Sequence, residues 1–280
     1  MSHEPRPQHL LTSFNGRHVE LQCDPERLAE ELCLRLGRLA PAPGPTPRAV
    51  LRLVLNEREA DCIELRDSTG RSERGPLDHV LHYIRKWVTA AFISEHPDLL
   101  WLHAGAAALD GAAILLPGPP GAGKSTLVVR LMERSWHLMA DDVVPLDLDR
   151  RAALPLPFNP SVRPAGPDRL DGVEFLEQPK TIVIVPSEQV AAEPATIDAI
   201  VFPEFLADSG GAFVLSRLSV VHAAQALAAQ SLDFRDDKTG SVKAACRLAK
   251  AVPAYRLSYG NSARAAIELT DRWPLAFRAR

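Results

Sequence analysis

The 280-residue sequence lacks several features that would mark particular classes of protein. It has no excess of positive charge, because 32 Lys and Arg stand against 35 Asp and Glu, a net charge of -3. No basic field would gather nucleic acid, so no nucleic-acid partner is expected. No apolar run is long enough to span a bilayer, and the opening residues, MSHEPRPQHL, lack a signal-peptide core. These absences predict a cytoplasmic protein with no membrane partner.

Cysteine is also scarce. The four cysteines, Cys23, Cys33, Cys62 and Cys246, form no CxxC pair and lie at no metal-ligand spacing from histidine. Isolated thiols of this kind are typical of small hydrophobic residues in a reducing compartment, and they do not indicate a disulfide framework. Hydrophobic residues make up 46% of the chain, which is enough for a sizeable core.

Residues 1–75 are predicted to form a small amino-terminal α+β region. DPERLAEELCLRLGRL has a capping aspartate, a first-turn proline and leucines at helical spacing, which predict a helix. The proline-rich stretch APAPGPTP is expected to be a connector without helix or strand. AVLRLVLN and DCIELRD then predict two strands. No chemistry is assigned to this region, and its function is unknown.

Residues 76–280 are predicted to form a second, larger domain. A helix with one apolar stripe, LDHVLHYIRKWVTAAFISEH, is followed by a hairpin built from LLWLHAGAAAL, an Asp-Gly turn and AAILLPG. The order strand, loop, helix, strand from Leu115 to Val144 is typical of an α/β layer. Further strands are expected at Thr181–Val185, Ala199–Phe202 and Ala254–Tyr259, and further helices at Val220–Gln230, Ser241–Ala251 and Ala263–Arg272.

The strongest motif is GPPGAGKS, which fits the pattern G-x-x-x-x-G-K-[ST] in full. Glycines let backbone amides approach phosphate oxygens, and the following helix adds unpaired N–H groups and a positive dipole end. Lys124 would reach the β- and γ-phosphates, and Ser125 would ligate Mg²⁺. ATP and Mg²⁺ are therefore the predicted cofactors, and the predicted binding residues are Gly118, Pro119, Pro120, Gly121, Ala122, Gly123, Lys124, Ser125 and Thr126.

Two adjacent carboxylates, Asp141 and Asp142, end the apolar strand that follows this helix. That strand is expected beside the phosphate loop. One carboxylate would hold the metal, and the other would accept a proton from an attacking hydroxyl. Because side chains alternate along a strand, both can serve only if the chain leaves regular β geometry here. In the alternative, one aspartate binds the metal and the other is a solvated strand end.

Together these segments resemble the HPr kinase/phosphorylase catalytic domain, and more closely the HprK-related kinase A group of bacterial proteins. The resemblance rests on His103 in LHAGAAALDGAAILL, on the glycine-rich loop, and on SWHLMADD, where Trp136 stands at a position usually held by glycine. IDAIVFPEF and PAYRLSYG are also similar to segments of that group. The likeness extends from about Leu99 to the carboxyl terminus.

The resemblance implies an α/β fold with a P-loop kinase core, the mixed sheet with helices shared by HPr kinases and phosphoenolpyruvate carboxykinases. It also implies transfer of a phosphoryl group from ATP to a serine-type hydroxyl. Carried over by position, Lys124 and Ser125 contact phosphate and magnesium, Asp141 is the base, Asp142 is a metal-side carboxylate, and His103 is an electrostatic or positioning group in the active site. HPr kinases include hexamers, so the resemblance allows a homo-oligomer.

The acceptor is expected to differ from HPr. The chain lacks the downstream glycine-rich segment with which HPr kinases contact their protein substrate, and its amino-terminal region does not resemble theirs. Genes of the related group often lie beside peptide-modification genes. The resemblance therefore implies a peptide or small-protein acceptor, such as the precursor of a modified peptide.

Phosphoryl transfer usually requires a further cation opposite the leaving charge. Arg163, in the proline-rich loop FNPSVRPAG, is the leading candidate, with Lys180 and Arg217 as rivals. Two other functions remain open: a small-molecule kinase acting on an alcohol such as free serine, and a nucleotide-binding regulatory subunit without transfer activity. The aspartate pair with His103 favours transfer, because a switch needs no base for an acceptor hydroxyl.

Overall fold

The structure, a computed structural model, describes residues 8–37, 39–42, 44, 49–59, 61–156, 158–163, 180–206, 211–232 and 238–273. The described residues form two compact units: one contains those up to Pro97 together with Phe158 and Asn159, and the other contains the rest. The predicted boundary after residue 75 therefore moves to residue 97. The reason is that the helix Leu77–Glu95 buries seven apolar side chains and packs on strands of the first unit.

The first unit has a six-stranded sheet in the order β3-β1-β2-β4-β5-β6. The prediction of a connector without strand is wrong at its start, since Ala40–Ala42 pairs antiparallel with β1. The two predicted strands are present as β4 and β5. The elements are β1 (Gln8–Phe14), β2 (Arg17–Asp24), α1 (Glu26–Leu36), β3 (Ala40–Ala42), β4 (Leu51–Glu59), β5 (Cys62–Asp67), β6 (Ser72–Gly75) and α2 (Leu77–Glu95).

A buried carboxylate ties three strands of this sheet together. The side chain of Glu64 in β5 is 1% exposed and accepts hydrogen bonds from Arg74 at 2.7 Å and from Arg58 at 2.8 Å. Arg66 contributes a third at 2.9 Å. These hydrogen bonds, with that of Arg74 the largest, lower the pKa of Glu64 to about 2.

We expect Glu64→Gln to lower the melting temperature at neutral pH. A carboxylate whose pKa is lowered on folding stabilises the protein above its unfolded pKa, near 4.5, and loses that effect as the pH falls toward 2. The difference in melting temperature between the native chain and Glu64→Gln should therefore be full at pH 7 and shrink below pH 4.5. Glu30→Gln, at an exposed position of α1, is the control. A difference that stays constant down to pH 3 would contradict this role.

The second unit is a mixed α/β layer, as the sequence predicts. Its sheet follows the order β10-β8-β9-β15-β12-β11-β7, with β17 joined to β15 and β16 joined to β17. Strands β9, β15 and β17 are parallel to one another. The elements are β7 (Leu100–Leu102), β8 (Ala104–Leu109), β9 (Ala112–Pro117), α3 (Lys124–Met132), β10 (His137–Ala140), β11 (Val144–Asp147), β12 (Ala152–Ala153), β13 (Ser161–Val162), β14 (Thr181–Ile182), a 3-10 turn (Ser187–Gln189), β15 (Ala195–Phe205), β16 (Phe213–Arg217), α4 (Val220–Ala228), α5 (Lys238–Ala251), β17 (Ala254–Tyr259) and α6 (Ser262–Arg272).

The core of this unit explains the tryptophan at an unusual position. Trp136 is 1% exposed, and its indole Nε1 donates a hydrogen bond to Thr270 Oγ1 at 3.0 Å. Its ring meets Trp273 edge to face, with ring centroids 4.9 Å apart. Two partners near the end of α6 thus accommodate a large side chain just before β10.

The cysteine and membrane predictions can also be compared with the structure. All four cysteines are free, and burial raises the pKa of the Cys23 thiol to about 12, as expected of a thiol that packs as a hydrophobe. None of the helices that the structure describes has the length and apolar character needed to cross a bilayer.

Candidate active site

The glycine-rich loop joins a fully buried strand to a helix. All six residues of β9 are buried, the loop covers 118–123, and α3 begins at Lys124. Gly121 and Gly123 have φ of +85° and +95°, a region that other residues rarely adopt. No side chain caps α3, and its first turn has no acidic residue. The first N–H groups of the helix are therefore suited to receive an anion.

Lys124 closes the loop on itself. The residue is 6% exposed, and its Nζ donates hydrogen bonds to the carbonyl oxygens of Gly118 at 2.7 Å and Pro119 at 3.0 Å. Ala122 N–H also bonds to the Pro119 carbonyl at 3.3 Å. The ammonium is thus held over the loop by backbone oxygens, in the position where a phosphate oxygen would be its stronger partner.

The surroundings of Lys124 disfavour its charged form. Burial is the largest influence and lowers the pKa of Lys124 to about 8. The charges of Asp142 and Asp141 act in the opposite direction, whereas those of Lys180 and Arg163 lower the pKa further. Burial thus disfavours the charged ammonium of Lys124. A bound polyphosphate would favour that charged form.

Tyr259, at the end of β17, lies against Gly123 of the loop. It is fully buried, and burial raises the pKa of its hydroxyl. A Cβ atom added to Gly123 would lie 1.9 Å from Tyr259 Oη and 3.8 Å from the Cβ of Phe205. No functional role is predicted for Tyr259 from the sequence. The motif contains Gly123, but no feature of the sequence indicates what lies against it.

We expect Gly123→Ala to lower the affinity for magnesium–ATP by more than about tenfold and to destabilise the fold by about 1–3 kcal/mol. The new methyl group would meet the Tyr259 hydroxyl, and φ would remain at +95°. Gly111→Ala is a matched control, because Gly111 has φ of +75° with no atom within 4 Å of an added Cβ. Chemical unfolding and titration calorimetry would measure both effects. Equal behaviour of the two variants would contradict a special role for Gly123.

The chain leaves β geometry at the aspartate pair, which was the condition for both carboxylates to act together. Strand β10 ends at Ala140, Asp142 has φ of +73°, and β11 begins at Val144. Asp141 is 3% exposed, whereas the side chain of Asp142 is 58% exposed. The two neighbouring carboxylates therefore occupy different environments.

Asp141 lies beside Gly105 of β8. Its Oδ2 accepts a hydrogen bond from Ser161 N–H at 3.3 Å. A Cβ added to Gly105 would lie 3.6 Å from Asp141 Oδ1 and 3.7 Å from the backbone oxygen of Lys124. It would also lie 2.7 Å from a methyl group of Val128 in α3. The absence of a side chain at Gly105 is what permits this approach, and sequence reasoning did not identify Gly105.

His103 lies at a break between two strands. The predicted single strand is two short ones, because β7 pairs with β11 and β8 pairs with β9. The His103 N–H donates to the carbonyl of Gln230 at 2.7 Å, which fixes the backbone at the break. His103 Nε2 lies 3.3 Å from Asp142 Oδ1. The histidine thus meets the exposed carboxylate of the pair.

Strand order explains why these groups meet. The aspartate strand β10 does not pair with the loop strand β9, because β8 lies between them and is antiparallel to both. An antiparallel strand begins at the edge where its neighbours end. His103 before β8, the loop after β9 and Asp141 after β10 are therefore brought to one edge of the sheet.

The other predicted residues have definite places. Ser125 and Thr126 are half-buried in the first turn of α3. Arg163 directly follows β13 and Lys180 directly precedes β14, two strands whose register pairs Val162 with Thr181. Arg163 and Lys180 therefore lie at the same end of this pair of strands, and the charges of both lower the pKa of Lys124. Arg217 instead lines a cavity formed by other elements.

The residues predicted to bind Mg²⁺ are Ser125 and Asp142. In the part of the chain that the structure describes, no group of three or more His, Cys, Asp or Glu side chains is placed to hold a metal ion. Mg²⁺ commonly binds through one or two protein oxygens, substrate phosphates and water. Ser125 and the carboxylate pair fit such a site.

Comparison with known proteins adds little. No protein-family model matches the sequence, and no curated protein matches it. Among solved structures, the chain is similar to the Hpr(Ser) kinase/phosphatase from Coxiella burnetii, with 12% identity and a TM-score of 0.32. The alignment covers 64% of this chain and 99% of that one. A similarity this weak does not establish a function.

Proposed function

We propose that the second unit is a P-loop kinase of the HPr kinase type, which transfers the γ-phosphoryl group of ATP to a serine-type hydroxyl of a peptide or small protein. The observation that carries the proposal is the meeting of three features at one sheet edge. These are the loop with the buried lysine, the Asp141–Asp142 pair, and His103. A phosphate-binding loop alone would suit many functions. A buried carboxylate close to it is suited to remove the proton of an acceptor hydroxyl.

The residues present fit ATP and Mg²⁺. Backbone N–H groups of the loop and of the first turn of α3, together with Lys124, would hold the phosphates. Ser125 and Asp142 would hold Mg²⁺, which when bound neutralises phosphate charge and orients the terminal group. His103, 3.3 Å from Asp142, would keep that carboxylate in position. Arg163 would face the charge that develops during transfer.

The reaction balances with these groups. The acceptor oxygen forms a bond to the γ-phosphorus while the bond from that phosphorus to the β–γ bridging oxygen breaks, leaving ADP. The hydroxyl proton passes to Asp141. The Ser161 N–H holds one oxygen of that carboxylate at 3.3 Å. A peptide acceptor, a homo-oligomeric assembly and a cytoplasmic location stay predictions.

Phosphoryl transfer can be tested with γ-labelled ATP, Mg²⁺ and one acceptor at a time. A panel of serine-containing peptides, free serine and a reaction without acceptor should be compared. Label in a peptide is the expected result. Label in free serine would indicate the small-molecule kinase instead. Release of free phosphate alone, or no turnover, would favour the nucleotide-binding regulatory subunit.

Nucleotide affinity should fall at high pH. Lys124 has a pKa of about 8 in the free protein, and phosphate favours its charged form. Above pH 8 the lysine must take up a proton before it can pair, so affinity should drop by up to about tenfold per pH unit. Titration calorimetry of ATP between pH 7.5 and 9.5 would measure this. An affinity that is constant over that range would show that Lys124 does not titrate there.

A further inference from the structure

A second concave site lies in the second unit, away from the glycine-rich loop. Its volume is about 680 Å³, within the range of small-molecule sites. The lining residues include three that carry positive charge, Arg151, Arg217 and Lys250, and the polar residues Ser219 and Tyr255. No carboxylate is among its lining residues. Such an accumulation of positive charge is notable in a chain with a net charge of -3.

The position of this cavity separates it from the candidate active site. Ala254 and Tyr255, at the beginning of β17, line the cavity, whereas Tyr259 at the end of β17 lies against Gly123 of the loop. At about 3.3 Å per residue, the five steps from Ala254 to Tyr259 span about 16 Å. The two sites therefore lie at opposite ends of the same strand.

Each cation reaches the cavity from a different element. Arg151 ends the turn between β11 and β12 with φ of +51°, Arg217 is the last residue of β16, and Lys250 is in the last turn of α5. Arg151 Nε is removed from solvent and has no hydrogen-bond partner. Within the described residues, none of the three forms an ion pair with a carboxylate. Their charge is therefore available to a ligand.

The start of α4 adds a further attraction for anions. Ser219 caps this nine-residue helix by accepting a hydrogen bond from His222 N–H at 3.3 Å, and both Ser219 and Val220 line the cavity. The first turn of α4 contains no acidic residue. The positive end of the helix dipole thus reinforces the three cationic side chains.

We propose that this cavity binds a small molecule that carries a phosphate group or a pair of them. Two guanidinium groups and one ammonium group on three elements match several phosphate oxygens, because guanidinium groups donate paired hydrogen bonds to such oxygens. The site is concave and formed by one unit of the chain, which suits a small anion better than a nucleic acid. It is independent of the proposed kinase reaction and stands even if that reaction is absent.

Pyrophosphate is a suitable probe, and titration calorimetry on the full chain without magnesium would count its sites. We expect two sites in the native protein. Arg217→Gln and Lys250→Gln, both at exposed positions, should each weaken one site by at least about tenfold and leave the other unchanged. Lys124→Ala should remove the other site. Arg256→Gln is the control, because Arg256 is exposed on β17 next to Tyr255 but does not line the cavity.

The outcomes separate this inference from the proposed function. A single site that is lost in Lys124→Ala and unaffected by Arg217→Gln and Lys250→Gln would overturn the second site. A single site that is lost in Arg217→Gln and kept in Lys124→Ala would support it and count against nucleotide binding by the loop. Absence of pyrophosphate binding would overturn the inference as well. Circular dichroism and melting curves for each variant would show that it is folded.

Discussion

Replacing Lys124 with alanine is expected to weaken the binding of magnesium–ATP by about a hundredfold or more. The lysine is 6% exposed and is the charged side chain of the loop itself. Its loss would remove the proposed charge-assisted contacts to the β- and γ-phosphates, each of about 1.5–3 kcal/mol. It also removes the hydrogen bonds to the carbonyl oxygens of Gly118 and Pro119 that close the loop. Titration calorimetry with a non-hydrolysable ATP analogue would measure the change.

The control for this variant is Lys243→Ala, which removes the same charge from an exposed position of α5. Its nucleotide affinity should match that of the native chain, and both variants should keep a native circular dichroism spectrum. If Lys124→Ala bound the analogue within about threefold of the native chain, the glycine-rich loop would not be the nucleotide site.

Replacing Asp141 with asparagine is expected to reduce phosphoryl transfer by about a thousandfold while nucleotide affinity stays within about threefold. Asparagine keeps the shape of the side chain and its acceptor oxygen, so the hydrogen bond from Ser161 N–H can persist. It cannot take the proton of an acceptor hydroxyl. Initial rates with labelled ATP and the best acceptor peptide would measure transfer.

Asp142→Asn separates the two carboxylates. With Asp142 on the metal side and His103 3.3 Å away, its loss should raise the magnesium concentration needed for half-maximal activity. Asp110→Asn, in the turn between β8 and β9, should have no effect on either quantity. If Asp141→Asn raised the magnesium requirement and Asp142→Asn stopped transfer, the two roles would be exchanged. If neither variant changed transfer, the proposed mechanism would fail.

The sequence predicts those elements of the fold whose own residues show a periodic apolar pattern or a known motif. The apolar stripe of α2, the loop between β9 and α3, and the helices α4 to α6 all have a clear period or motif. Strand β1 was not predicted, because QHLLTSF mixes polar and apolar residues without a clear period, and β2 was missed although RHVELQCD alternates Val19, Leu21 and Cys23 with polar residues. In the fold the two strands pair antiparallel with each other, and this pairing is not visible in either segment alone.

The candidate active site could likewise be predicted only in part from the sequence. The motif identifies Lys124 and the aspartates follow it closely, but Gly105 and Tyr259 gain their roles only through contacts across the sheet. Sequence order predicts that the aspartate strand β10 lies beside the phosphate loop, but it does not show that β8 separates β10 from the loop strand β9. Because β8 inserts between them, the edge that His103, the loop and Asp141 share can be known only from strand pairing.

The most direct measurement is a crystal structure of the protein with magnesium and a non-hydrolysable ATP analogue. The account requires the triphosphate to lie along residues 118–126, with Lys124 Nζ turned from the loop carbonyls onto a β- or γ-phosphate oxygen. It also requires Asp141 and Asp142 to face the terminal phosphate, one of them at the metal ion or one of its waters. A nucleotide bound elsewhere, or carboxylates directed away from that phosphate, would contradict it.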